Sequence, residues 1–157
     1  MNVPPVFTYS ANEVYAISTS ASIEATLNRV NGLATILTNG RHRWVADVPK
    51  TLGSNDTAPD PHDLLDSALA ACTVLTLELY LKRKLDWQVD RIQCRVERIS
   101  GTRAENGQVD YRFKRIVKVG GALSPEQEGR LIEIANKCPI HRLLGGRTHI
   151  ETALDLP

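Results

Sequence analysis

Two thiols on helical segments far apart in the chain carry most of its chemical potential. Cys72 lies deep in the apolar run Leu64-Leu65-Asp66-Ser67-Ala68-Leu69-Ala70-Ala71-Cys72-Thr73-Val74-Leu75, and Cys138 opens Cys138-Pro139-Ile140-His141-Arg142-Leu143-Leu144-Gly145-Gly146. Thiolates are nucleophiles, and two thiols that meet can cycle between dithiol and disulfide. Thiol redox chemistry is the reading that such a pair suggests.

The settings of the two cysteines differ. Cys-Pro at a helix break makes Cys138 the expected N-cap of the next turn, where unpaired N–H groups and the helix dipole favour a thiolate, and His141 and Arg142 add positive potential. A helix C-terminal cysteine followed by a convenient proline is the plainer alternative. Cys72 sits among alanines and leucines, where desolvation raises a thiol pKa, so it becomes a nucleophile only if a cation reaches it. Arg29 is the candidate, since it continues the face carrying Ile23, Ala25 and Leu27; an arginine beside a hairpin turn, pointing into water, is the competing reading. His62 and Asp63 stand at a helix start, where capping explains them equally well. Cys94 alternates with Ile92 and Val96 and reads as a small buried hydrophobe.

The elements that must position these residues follow from local pattern. Asn31-Gly32 and Asn39-Gly40 each separate short alternating runs, which predicts a three-stranded meander over about Ser22 to Val48 with type I′ turns. With two residues in each turn, Leu27 pairs with Ile36 and Ile36 with Arg43, which scatters the apolar residues over both faces and calls for a bulge or a sheet buried partly on both sides. Lys50 to Pro59 reads as a surface loop. Asp60 then caps a helix with Pro61 at its first position, running to about Lys84, with Leu65, Ala68, Cys72, Leu75 and Leu79 on one stripe. Leu69, Leu77 and Leu81 lie off that stripe, so the helix is expected to be covered almost all round. Alternation over Val89 to Arg98 and Val109 to Val119, about a turn at Asn106-Gly107, predicts two half-buried strands. Ser124-Pro125-Glu126-Gln127 starts a second helix that Pro139 breaks, a short turn closes at Gly145-Gly146, and Thr148 to Leu154 is expected to form a last strand. Strands and helices are segregated, which is an α+β pattern.

With 157 residues, 42% of them hydrophobic, the chain has material for one core, expected as a single domain over 21–157 behind a loosely docked leader at 1–20. Its 19 basic and 18 acidic side chains leave a formal charge of +1, which gives no footprint for nucleic acid or an anionic membrane. Met1-Asn2-Val3-Pro4-Pro5 lacks the basic and apolar regions of a secretory signal, and Asp66 and Glu78 interrupt the longest apolar run, so neither secretion nor membrane spanning is expected. Three cysteines make a poor disulfide scaffold and fit a reducing cytoplasm, where a Cys–Cys bond cycles.

The two helical segments together resemble the family of osmotically inducible protein C and organic hydroperoxide resistance proteins (OsmC/Ohr). Pro61 followed by Leu64-Leu65 and Ala68-Leu69-Ala70-Ala71-Cys72, then Cys138-Pro139-Ile140-His141-Arg142 after an amphipathic helix, carry the likeness, and the order of elements from about Ser22 to Leu154 agrees with it. The resemblance implies an OsmC-like fold in an intertwined homodimer and a thiol peroxidase for organic hydroperoxides, with Cys72 peroxidatic and Cys138 resolving. It also implies that an early-strand arginine, approximately matched by Arg29, holds the thiolate, and that an external dithiol of the dihydrolipoamide type is the reductant, with no metal or flavin. His62 stands where the better-known branches have a glutamate after the helix-opening proline, with Asp63 the nearest acid, and His141 stands where they usually have serine. The sequence looks closer to the less characterised OsmC-like branch.

Two other readings compete. One is a redox-responsive or small-ligand-binding dimer with little turnover. The other is a metal site from Cys138, His141, Cys72 and His62, whose spacing lacks the paired close ligands that such sites use.

Overall fold

The computed structural model describes residues 22–99, 101, 105 and 111–154, the side chain of Asn31 excepted. The expected leader at 1–20 and the Asn106-Gly107 turn lie outside them. The chain divides into two compact units, one ending at Pro59 and the other beginning at Asp60.

In the first unit, β1 (Glu24–Thr26), β2 (Thr35–Thr38) and β3 (Arg43–Ala46) form an antiparallel meander in that order. Its register departs from the two-residue turns expected. Thr26, not Leu27, lies opposite Ile36, and Ile36 lies opposite Val45 instead of Arg43. The cause is side-chain capping by asparagine. Asn39 Oδ1 accepts from the N–H groups of Arg41 and His42 at 3.0 and 2.8 Å, which lengthens the second loop, and Asn28 caps a 3-10 turn at Arg29–Asn31 within the first. Ile36 and Val45 thereby share a face without a bulge. Below the meander, the buried Asp47 carboxylate gathers the loop back onto β3, accepting from Ser54, from the Val48 N–H at 2.8 Å and from the Thr57 N–H and hydroxyl at 2.9 and 2.7 Å. The Ser54 and Thr57 donors hold that carboxyl well below the usual carboxylate range.

The second unit opens with α1 (Pro61–Leu81). Asp60 accepts from the His62 and Asp63 N–H groups, Asp63 answers by accepting from the Asp60 N–H, and Pro61 occupies the first turn, where its missing N–H costs nothing. β4 (Val89–Ile99) and β5 (Arg112–Gly121) pair antiparallel, and α2 (Pro125–Ala135) starts at the Ser124/Gln127 capping box. α3 (Pro139–Leu144) follows the break, with Cys138 at its N-cap. Leu77, Leu81, Leu131, Ile134 and Ala135 form the core, on which Ile92, Val117 and Val119 of the hairpin pack.

α1 is not covered all round in the single chain. Its buried residues are Leu69, Thr73, Thr76, Leu77 and Leu81, whereas the expected stripe is its more open side, with Leu65 39%, Leu75 61% and Leu79 38% exposed. Apolar residues surround this helix so evenly that periodicity cannot choose its inner face. By length and composition α1 would also suffice to cross a membrane. Here it packs on β4, α2 and α3, and Asp66 pairs with Arg98 of β4 at 3.3 Å, as in a core helix. The strand expected over Thr148 to Leu154 does not form: the segment has no strand partner among the described residues, and Ile150 is 86% exposed.

Candidate active site: a pair of thiols at a helix break

The site is built where α1 meets the break between α2 and α3. Helix α2 stops at Ala135, and the Lys137 and Cys138 N–H groups fold back onto Ile134 O and Ala135 O at 2.9 and 3.3 Å. Pro139, at the first position of α3, cannot donate and redirects the chain. Cys138 is left with no exposed surface, and its side chain makes no capping bond to α3. It lies instead within hydrogen-bonding reach of the Cys72 thiol. The structure thus brings together the two cysteines on which the sequence reading turns.

Cys72 is half-buried, with the Thr76 hydroxyl one turn further along α1 and the Ile140 N–H at the start of α3 both directed at its sulfur. Burial pushes its pKa up, and the neighbouring Cys138 thiol pushes in the same direction; the Ile140 N–H and the Thr76 hydroxyl oppose them. None of these strongest influences is a cation. His141 lies on α3, and burial, followed by the charges of Arg115 and Arg142, lowers its pKa and disfavours its charged form.

The remaining sequence candidates are Arg29, His62 and Asp63. Arg29 belongs to the first unit, in the 3-10 turn beyond β1 and exposed, so it does not continue the strand face of Ala25. His62 and Asp63 are engaged at the N-terminus of α1, roughly 14–15 Å from Cys72 along the axis at the ordinary helical rise. No three His, Cys, Asp or Glu side chains gather as a metal site among the described residues. Cys94 is half-buried on the helix-facing side of β4, its pKa raised by burial and lowered by the Arg115 charge and the Thr73 hydroxyl.

Arg115 escaped the sequence reading. It sits opposite Val96, on the face of β5 that also carries Phe113, Val117 and Val119, and donates to Thr73 Oγ1 at 3.2 Å, Ala135 O at 3.1 Å and Asn136 Oδ1 at 2.7 Å. The available signal was a charge at the apolar phase of an alternating strand. Arg115, Glu128, Asn136 and His141 also form the polar side of a cavity of about 600 Å³ whose walls include Leu69, Val117, Leu131 and Ile132. Neither Cys72 nor Cys138 lines it, so the apolar space lies beside the thiol pair and not around it.

The family model of OsmC-like proteins matches residues 53–153, which include α1, both β4 and β5, and the Cys138 break. An OsmC-like protein from Mycoplasma pneumoniae has a similar structure at 21% identity and a TM-score of 0.67, covering 83% of this chain and 90% of that one. An organic hydroperoxide resistance protein from Elizabethkingia anophelis is similar at 24% identity and a TM-score of 0.62, covering 81% and 89%. An OsmC-like protein of unknown function from Vibrio cholerae is similar at 16% identity and a TM-score of 0.61, covering 80% and 93%. No curated protein matches the chain. These likenesses carry the α+β fold, and the match over residues 53–153 carries more: the chain belongs to the family of OsmC-like proteins.

Proposed function

We propose that this protein is a cysteine-based peroxidase that reduces organic hydroperoxides in the cytoplasm. The Cys72 thiolate attacks the terminal peroxide oxygen, the O–O bond breaks, an alcohol leaves after protonation, and Cys72 becomes a sulfenic acid. Cys138 then displaces the hydroxyl as water and closes a disulfide, which an external dithiol of the dihydrolipoamide type reopens by exchange. The carrying observation is the contact between the buried Cys138 thiol and Cys72. The neighbouring apolar cavity suits an alkyl chain, and some structures with this fold are organic hydroperoxide resistance proteins. Neither metal nor flavin is called upon. The working unit is a homodimer, supported by the open apolar face of α1 at Leu65, Leu75 and Leu79.

The raised pKa of Cys72 favours a second reading, a redox-responsive or small-ligand-binding dimer with little turnover. Consumption of cumene hydroperoxide with dihydrolipoamide in excess separates the two. Catalytic consumption that Cys72→Ser abolishes, with a sulfenic acid trapped in Cys138→Ser, supports the peroxidase. A single stoichiometric oxidation selects the second reading, and parental-rate consumption by Cys72→Ser overturns the role of Cys72.

A further inference from the structure

The geometry points to Arg115 as the positioning residue of the resolving cysteine: it ties the end of α2 to α1 and so holds Cys138 where the oxidised Cys72 must find it. The inference rests on the peroxidase reading for its kinetic meaning, and on hydrogen bonds alone for its geometry.

A guanidinium on the apolar face of a hairpin is costly unless its donors are satisfied. Arg115 satisfies them on two elements at once. One bond goes to Thr73 Oγ1, on the wholly buried residue next to Cys72; that hydroxyl donates its own proton to Leu69 O at 2.8 Å and is left to accept. The others go to Ala135 O and Asn136 Oδ1 at the end of α2. Ala135 O is also the acceptor for the Cys138 N–H at 3.3 Å, so one carbonyl joins the guanidinium to the backbone of the resolving cysteine. The bonds at the C-terminal end of α2 are charge-assisted and placed where the helix dipole favours a cation. None of these bonds reaches either sulfur of the pair, and the action of Arg115 on Cys138 runs through this backbone.

The test follows the two oxidation steps separately in Arg115→Met, Arg115→Lys and Asn136→Ala, with circular dichroism and thermal melts to confirm folding. With hydrogen peroxide, which has no alkyl chain to place in the cavity that Arg115 lines, sulfenic acid formation at Cys72, trapped with dimedone, is expected to slow less in Arg115→Met than disulfide closure does. Disulfide closure is expected to slow about tenfold or more, the scale of one lost charge-assisted hydrogen bond. Arg115→Lys, which keeps the charge, restores part of the closure rate, and Asn136→Ala, an exposed substitution that spares the core, gives a smaller loss in the same step. Equal slowing of both steps, or no change in either, overturns the inference. If the parental protein forms no sulfenic acid, the peroxidase reading has failed, and iodoacetamide labelling of the reduced proteins decides about Arg115 alone. Faster labelling of Cys138 relative to Cys72 in Arg115→Met supports the tether, and an unchanged ratio refutes it.

Discussion

The Cys138 thiol is buried against the Cys72 thiol, although one belongs to a helix break and the other to the middle of α1. A disulfide requires Cα atoms about 4.4–6.8 Å apart and suitably directed Cβ atoms. Two thiols already in hydrogen-bonding reach need little movement to meet that requirement, and the short α2–α3 connection is where the movement would occur.

The pH dependence of the first oxidation step follows from burial. The pKa of Cys72 is raised, so the thiolate is scarce at neutral pH and its fraction grows as pH rises toward the folded value. The rate at which Cys72 of the parental protein reacts with peroxide, followed by stopped flow, is therefore expected to be still climbing at about pH 9, beyond the ordinary free-thiol value of about 8.5. A plateau near pH 7 would mean that a cation governs Cys72. Arg29→Ala examines the family's candidate for that role: a loss of about tenfold, one pKa unit of thiolate stabilisation, supports it, and an unchanged rate removes Arg29 from the site.

Stability of the second unit centres on Leu77, which has no exposed surface within the α1, α2 and hairpin core. Leu77→Ala is expected to lower unfolding free energy by about 2–5 kcal/mol, read from urea denaturation. A change below about 0.5 kcal/mol, the range of ordinary surface substitutions, would contradict this packing.

The open face of α1 makes a prediction about assembly. Leu75, 61% exposed in the single chain, is placed at the homodimer contact by the proposed function. Leu75→Glu would bury a carboxylate there, a cost of several kcal/mol, and light scattering is expected to find a monomer where the parental protein is a dimer. A dimer of unchanged affinity would place the contact elsewhere.

Local sequence rules located most of the elements because the signals were local. Asp60-Pro61 and Ser124-Pro125 with Gln127 cap α1 and α2 as their sequences require, and Pro139 breaks the chain at Cys138. Register was less legible, since the asparagine side chains at 28 and 39 compete with two-residue turns and shift the pairing. The inner face of α1 was hidden by leucines and alanines on every side; two threonines, Thr73 and Thr76, lie on it. Thr148 to Leu154 alternates like a strand but has no partner strand among the described residues. Within the site, the meeting of Cys72 and Cys138 depends on tertiary packing and entered the sequence reading through family resemblance. Arg115 was missed because its acceptors, Thr73, Ala135 and Asn136, converge only when three elements have packed.

The most direct measurement is peptide mass mapping of the reduced protein after one equivalent of cumene hydroperoxide, with free thiols alkylated before digestion. The account predicts a Cys72–Cys138 cross-link and an alkylated, unoxidised Cys94. Cross-linking through Cys94, or Cys72 and Cys138 both recovered as free thiols after the peroxide has been consumed, would contradict it.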